Sequence, residues 1–95
     1  MKMTRSSGNV FRDVGFPPEE AANLTVRSLL MIEIKKHIQA EKLTQKKAAK
    51  LFGVSQPRIS DLMRGKIGLF SVDTLISMLT RAGLKVDVKV RRSAA

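Results

Sequence analysis

The sequence contains no cysteine, tryptophan or tyrosine, and its aromatic side chains are four phenylalanines and a single histidine. Without cysteine the chain can form no disulfide and no thiolate metal site, and it offers no cysteine nucleophile. Because aromatic residues are scarce, the 43% of hydrophobic residues must build a core mainly from aliphatic side chains and methionine. This composition is typical of packed helices. A chain of 95 residues suffices for one small domain but not for two separate cores.

The sequence also lacks any long hydrophobic run. No apolar stretch follows Lys2 and Arg5, as it would in a signal peptide, and nothing approaches the roughly 18 apolar residues of a membrane span. We therefore expect no membrane partner and a cytoplasmic location.

Acidic residues are few: 8 Asp and Glu stand against 18 Lys and Arg, for a formal charge of +10. Seven of the basic residues lie between Lys42 and Lys66, where Asp61 is the only acid. A solvated basic surface would explain a uniform excess better than this clustered one. The charge pattern therefore favours a polyanionic partner such as a nucleic acid.

Catalytic or metal-binding constellations are not evident. The single histidine, His37, falls beside an apolar helical stripe and is interpreted as a packed or surface residue. Without cysteine or a second histidine, such a site would need Asp and Glu alone, and no pair of them has suggestive spacing. We expect no enzyme, no metal and no cofactor.

The pattern along the chain predicts one domain between two tails. Residues 1–9 are expected to be a flexible tail, residues 10–91 the domain, and residues 92–95 a second tail. A small apolar cluster lies at Val10, Phe11, Val14 and Phe16. Pro17 and Pro18 then open a long first helix that reaches Glu41, with apolar residues at helical spacing along one stripe; the alternative is a break near Thr25 and Val26.

Residues 44–65 predict two short helices joined by a tight turn. Thr44 is a good N-cap for the second helix, and Gly53 supplies the left-handed residue that stops it. Ser55 caps the third helix and Gly65 ends it. The nine residues from Thr44 to Gly53 are the spacing of a helix-turn-helix unit, in which the two helices cross steeply.

A fourth helix is predicted between Ser71 and Gly83, after which the period changes from helical to alternating. Four apolar residues alternate with charged ones over residues 84–91, which predicts a half-buried β-strand. A lone strand needs a partner for its backbone groups. The candidates are the same strand of a second chain, which we favour, and the segment at Val10 and Phe11; both pairings could occur together.

Residues 43–83 resemble the lambda-repressor-like helix-turn-helix family, which includes Cro and the phage repressors. The resemblance rests on L-T-Q at 43–45, A-A at 48–49 and G-V-S-Q-P-R-I-S at 53–60. Together with the residue patterns it implies a mainly α fold, a bundle of four to five helices with a short C-terminal β-strand paired across a dimer. The segments on either side of residues 43–83 are similar to antitoxins of the HigA type: G-N-V-F-R-D-V-G-F-P precedes a long helix, and a predicted strand follows the fourth helix.

The third helix supplies the candidate base-reading residues. Turning its apolar residues inward leaves polar side chains on the outside, and glutamine, arginine and serine can all bond to base edges in the major groove. The base-reading candidates are Gln56, Arg58 and Ser60. The resemblance implies that Gln56 reads adenine and that Gln45 binds phosphate and braces Gln56. Pro57 has no N–H to donate, so no base contact is assigned to it.

Cationic and polar residues around this helix are the candidate phosphate contacts. Positive charge at the start of the second helix is unfavourable by about 0.3–1 kcal/mol for each residue unless an anion lies nearby. The alternative is a pair of solvated lysines at an exposed helix end. The candidate phosphate-binding residues are Gln45, Lys46, Lys47, Ser55, Arg64 and Lys66. Asp61 would repel phosphate, so we expect it to pair with Arg58 or Arg64, or to accept from a cytosine amino group.

The favoured interpretation is a sequence-specific DNA-binding transcriptional repressor, a homodimer on an inverted-repeat operator in double-stranded DNA. DNA binding would place it at the nucleoid. The resemblance to HigA-type proteins implies an antitoxin of a toxin–antitoxin pair. The alternative is an interaction protein that mainly neutralises a RelE/HigB-like toxin, through residues 10–16 and the outer face of the first helix, and binds DNA weakly. A third interpretation, a generic nucleic-acid binder, predicts no sequence preference.

Overall fold

A computed structural model of the chain describes residues 15–92. The predictions for the N-terminal tail, for Val10, Phe11 and Val14, and for residues 93–95 lie outside that range. Four α-helices and one short 3-10 helix make up the described part. They are α1 (Pro18–Ala40), α2 (Gln45–Phe52), α3 (Gln56–Met63), the 3-10 helix Ile67–Leu69 and α4 (Val72–Arg81). The expected mainly helical fold is confirmed.

The long helix α1 forms one side of the bundle. It begins at Pro18, whose missing N–H costs little in a first turn, and Glu19 and Glu20 place negative charge where the helix dipole favours it. Its inner stripe is buried at helical spacing. The buried residues of α1 are Ala21, Leu24, Met31, Ile34 and Ile38.

The helices enclose one hydrophobic core, in which α1 packs against α4 and α2 packs against α3. The largest side chains in it are almost free of solvent: Phe52 is 0% exposed and Phe70 is 2% exposed. Burying a side chain of this size stabilises the fold by about 1.5–3 kcal/mol. The seven largest fully buried residues are Phe52, Phe70, Ile34, Ile59, Leu62, Leu75 and Met78.

All four α-helices end in the same way. After each helix a residue takes the left-handed conformation, and the next residue donates its N–H back to the carbonyl five positions earlier, as in a Schellman motif. These donor–acceptor pairs are Leu43 with Ile38 at 3.0 Å, Val54 with Ala49 at 3.0 Å, Lys66 with Asp61 at 3.1 Å, and Leu84 with Leu79 at 2.9 Å. The left-handed residue is glycine except after α1, where it is Lys42 with a φ of 52°.

The β-strand predicted at 84–91 is absent: residues 15–92 contain no strand, and residues 84–92 have no regular secondary structure. A strand exists only through hydrogen bonds to a neighbouring strand, and the described single chain provides none. The alternating pattern survives only in part. Leu84 and Val86 pack against the core, whereas Val88 is 78% exposed and Val90 is 87% exposed.

Candidate nucleic-acid interface

The turn between α2 and α3 has the backbone that the sequence predicts. The Thr44 hydroxyl accepts a hydrogen bond from the Lys47 N–H at 3.1 Å and so caps α2. Gly53 ends this helix with a φ of 73°, a conformation that other residues rarely adopt. The Ser55 hydroxyl then accepts from the Arg58 N–H at 3.3 Å and caps α3. Two caps and one glycine therefore set the angle between the helices.

The side chain of Arg81, at the end of α4, lies directly over Gly53. A Cβ atom placed on Gly53 would overlap the Nε of Arg81 and come within 2.8 Å of its Cζ. The positive φ favours glycine at this turn, and a Cβ would also require the exposed Arg81 side chain to shift. This contact also links the helix-turn-helix unit to α4.

Helix α3 is fixed to the core by one face and leaves its N-terminal end in solvent. Ile59 is 0% exposed and Leu62 is 1% exposed. Gln56 and Arg58 lie in the exposed first turn, whereas Ser60 is half-buried further along. The structure therefore places the three base-reading candidates on one short helix, where Gln56 and Arg58 are more exposed to solvent than Ser60.

Two of these three candidates have side chains free to form new contacts. Among residues 15–92, neither Gln56 nor Ser60 makes a side-chain hydrogen bond. Arg58 differs, since its Nη1 donates to the Leu69 carbonyl at 3.5 Å and its Cζ lies 5.7 Å from the centre of the Phe70 ring. The loop after α3 thus holds Arg58, and the sequence pattern did not reveal this contact.

The candidate phosphate contacts flank α3 on two sides. Gln45, Lys46 and Lys47 form the exposed first turn of α2, and their side chains have no partner within the described part of the chain. The brace expected from Gln45 to Gln56 is accordingly not formed in the free protein. Arg64 is exposed at the other end of α3 and is likewise unpaired among the described residues. Ser55 is exposed as well, with its hydroxyl used as the cap.

The pairing expected for Asp61 is wrong. Its Oδ1 lies 3.7 Å from the Nζ of Lys66, and it forms no ion pair with Arg58 or Arg64. The cause is the turn at Gly65, which folds the chain back so that Lys66 meets Asp61, five residues earlier. A glycine after the helix was visible in the sequence, so the Schellman geometry could have predicted this pair. The charge of Lys66, a candidate phosphate contact, is therefore partly neutralised by the carboxylate of Asp61.

Sequence reasoning missed one residue that bears on this surface. Arg27, on α1, donates from its Nη1 to the carbonyl oxygens of Ile67 and Phe70, at 3.2 and 3.3 Å. A signal was present, because Arg27 follows the buried Leu24 by three residues and precedes the buried Met31 by four. A cation within the inner stripe of a helix indicates a specific buried-side partner.

The described residues offer little for other kinds of site. No group of three or more His, Asp or Glu among them could hold a metal ion. None of the helices in residues 15–92 is long and apolar enough to cross a bilayer.

The two capped helices, the left-handed glycine between them and the exposed start of α3 together define a helix-turn-helix DNA-binding domain. Comparison with known families agrees: residues 10–91 match the family described as a helix-turn-helix domain, and the chain belongs to that family. The resemblance to Cro and lambda-repressor-like proteins is thereby supported at the level of the family. A comparison with curated proteins found no matching relative. The chain is therefore a DNA-binding regulator of the helix-turn-helix class.

Proposed function

We propose that this protein is a sequence-specific transcriptional repressor that binds an inverted-repeat operator as a homodimer. The observation that supports it best is the arrangement around α3. Its N-terminal turn is exposed, and unpaired cations flank it at Lys46 and Lys47 on one side and at Arg64 on the other. A helix of this width fits the major groove, and flanking cations can neutralise the phosphates on both sides of that groove.

The side chains divide into two roles by their chemistry. Gln56 can form a bidentate pair with adenine and Arg58 one with guanine, each worth about 1–3 kcal/mol of discrimination. Ser60 can bond to several acceptors but has less access. The phosphate contacts proposed for Gln45, Lys46, Lys47, Ser55, Arg64 and Lys66 would add affinity without sequence preference.

The C-terminal segment is the proposed dimer contact. Val88 and Val90 are exposed β-branched residues, which favour a strand and would be covered if residues 84–91 paired with the same segment of a second chain. Across a two-fold axis, two α3 helices could then enter successive major grooves about 34 Å apart. One helix contacts too few base pairs for specificity, so the repressor role depends on this dimer.

The direct test is selection of DNA duplexes from a random library by the purified full-length protein, followed by anisotropy titration of the enriched sequence. A symmetric motif and preferential binding to it are expected. Equal, weak binding to all duplexes would refute the proposal. Gln56→Ala should lower discrimination at one position of each half-site, whereas Lys46→Ala should weaken binding to all duplexes and reduce the salt slope by about 1. Identical behaviour of the two variants would refute the division into reading and anchoring residues.

The dimer contact has its own test. Val88→Lys places a charge where the two segments would meet and should lower the mass measured by sedimentation, while Lys89→Met, at the next position, should not. If Val88→Lys leaves a dimer intact, the contact lies elsewhere.

A second function, neutralisation of a RelE/HigB-like toxin, is favoured by one feature. The outer side of α1 exposes two large aliphatic residues, Val26 at 44% and Ile32 at 41%, and Leu29 between them is half-buried. We propose this stripe as the toxin contact of an antitoxin. The protein encoded by the neighbouring gene should co-purify with the wild type and not with Ile32→Glu. Binding that is equal for both proteins would exclude the stripe.

A further inference from the structure

The loop that follows α3 is fixed by arginines from two different helices. We define this loop as residues 66–70. Three of its carbonyl oxygens accept from guanidinium groups: Ile67 and Phe70 from Arg27, and Leu69 from Arg58. The Ile67 carbonyl also accepts from the Phe70 N–H at 3.3 Å, and Leu69 is 50% exposed, so the guanidinium groups add to the backbone bonds of the loop and do not replace them.

Arg27 is well oriented for this task. Its Nε donates to Oδ1 of Asn23, one helical turn earlier, at 2.7 Å, and this bond fixes the plane of the guanidinium. Its Nη1 then reaches two loop carbonyls that lie 40 and 43 residues further along the chain. Arg27 thus joins the first helix to the loop through hydrogen bonds, in addition to the apolar packing of Ile67 against the core.

The loop in turn holds Arg58. The Cζ of Arg58 lies 5.7 Å from the centre of the Phe70 ring, within cation–π range, and its Nη1 donates to the neighbouring carbonyl of Leu69 at 3.5 Å. The Phe70 ring is itself 2% exposed and cannot move without disturbing the core. Arg27 is therefore connected to Arg58, in the first turn of α3, through the loop: Arg27 bonds to the carbonyls of Ile67 and Phe70, and Arg58 bonds to the carbonyl of Leu69.

We propose that Arg27 is a positioning residue of the DNA-reading surface, which fixes residues 66–70 and thereby the orientation of Arg58. The inference rests on the proposed function, because it assigns Arg27 an effect on guanine recognition by Arg58. Arginine suits the position because its planar fork donates to Asn23 and to the loop at the same time. Lysine would keep the charge but lose the fork.

The first test needs no DNA. In full-length protein, the NMR resonances of the Arg58 Nε–H group and of the backbone amides of residues 66–70 report the position of the loop. Arg27→Met and Arg27→Lys should both shift them. Lys36→Met removes a positive charge from α1 at an exposed residue that, among residues 15–92, pairs only with Glu33, and it should leave these resonances unchanged. The inference fails if the two Arg27 variants leave these resonances in place, or if Lys36→Met shifts them equally.

The second test measures coupling on DNA. Discrimination between a duplex selected by the wild type and the same duplex with its guanines substituted is compared among Arg27→Lys, Arg58→Gln and the double variant. Arg27→Lys should reduce discrimination about three- to tenfold, and it should have little further effect once Arg58 is replaced. Additive losses would overturn the inference.

The controls separate this inference from the proposed function. A wild type that enriches no duplex refutes sequence-specific binding itself, whereas the NMR result still decides whether Arg27 positions the loop. A wild type that discriminates, with Arg27→Lys equal to Lys36→Met, refutes the inference alone. Thermal unfolding of each variant confirms that folded proteins are compared.

Discussion

Replacing Gly53 by alanine should destabilise the fold for two reasons, backbone strain and displacement of the Arg81 side chain, whose costs can be measured separately. The φ of 73° places alanine in the left-handed region, at a cost of about 1–2 kcal/mol. The added Cβ would also displace the Arg81 side chain. Because Arg81 is exposed and flexible, its displacement should cost less than the backbone strain. For a domain of this size each kcal/mol lowers Tm by about 4–8 °C, so we expect a fall of about 5–15 °C.

Two other glycines provide matched controls. Gly65 has nearly the same φ, 74°, but nothing lies within 4 Å of a Cβ at this position, so Gly65→Ala measures the backbone strain alone. A Cβ at Gly68 also meets nothing within 4 Å, and its φ lies outside the left-handed region, so Gly68→Ala should change stability by less than about 0.5 kcal/mol. The difference between Gly53→Ala and Gly65→Ala then gives the cost of moving Arg81.

The assay is urea and thermal unfolding followed by circular dichroism at one protein concentration, because dimer formation would make Tm depend on concentration. Adding Arg81→Ala to Gly53→Ala should recover only the smaller part of the loss. The reasoning is refuted if Gly53→Ala is as stable as Gly68→Ala, or if removing Arg81 restores full stability.

The remaining predictions concern the core, the helix ends and the loop. Phe52→Ala should cost about 3–5 kcal/mol in urea unfolding, because the ring is fully buried, and a smaller loss would contradict the packing. Lys42→Gly should raise Tm slightly, since it removes left-handed strain at a φ of 52°; an unchanged or lower Tm would show that the strain is compensated. Asp61→Asn should leave stability within about 1 kcal/mol, because the ion pair with Lys66 is partly exposed. The same variant should tighten binding to all duplexes in anisotropy titrations, and unchanged binding would show that Lys66 lies away from the phosphates.

The helical part of the fold could be predicted from the sequence because its signals are local. Thr44, Ser55 and Ser71 each cap a helix as expected, and each hydroxyl accepts from the N–H three residues on. The helix-turn-helix unit follows from these caps and from Gly53. The strand at 84–91 could not be settled in the same way, because a strand depends on a partner that the alternating pattern does not identify.

The electrostatic details of the candidate site depend on tertiary contacts and were harder to foresee. Asp61 was assigned to arginines three residues away on its own helix, whereas the turn after the helix brings Lys66 to it. The partner of Arg58 lies eleven residues further along the chain and that of Arg27 forty or more, distances over which no helical period identifies the partner. Periodicity placed Arg58 and Asp61 on the exposed part of the third helix but could not say which residues meet them there.

The contacts of Arg58 in the free protein are compatible with a base-reading role. Its hydrogen bond to Leu69 uses one of five N–H donors, so the others remain available to the two acceptors of a guanine. The cation–π contact with Phe70 contributes about 0.5–1 kcal/mol at an exposed site. Immobilising a free arginine on binding costs about 0.5–1.5 kcal/mol, so an arginine that the loop already holds avoids much of that cost. A lysine at the same position would keep the charge but lose the planar fork with which arginine can meet the two acceptors of a guanine while it still bonds to Leu69.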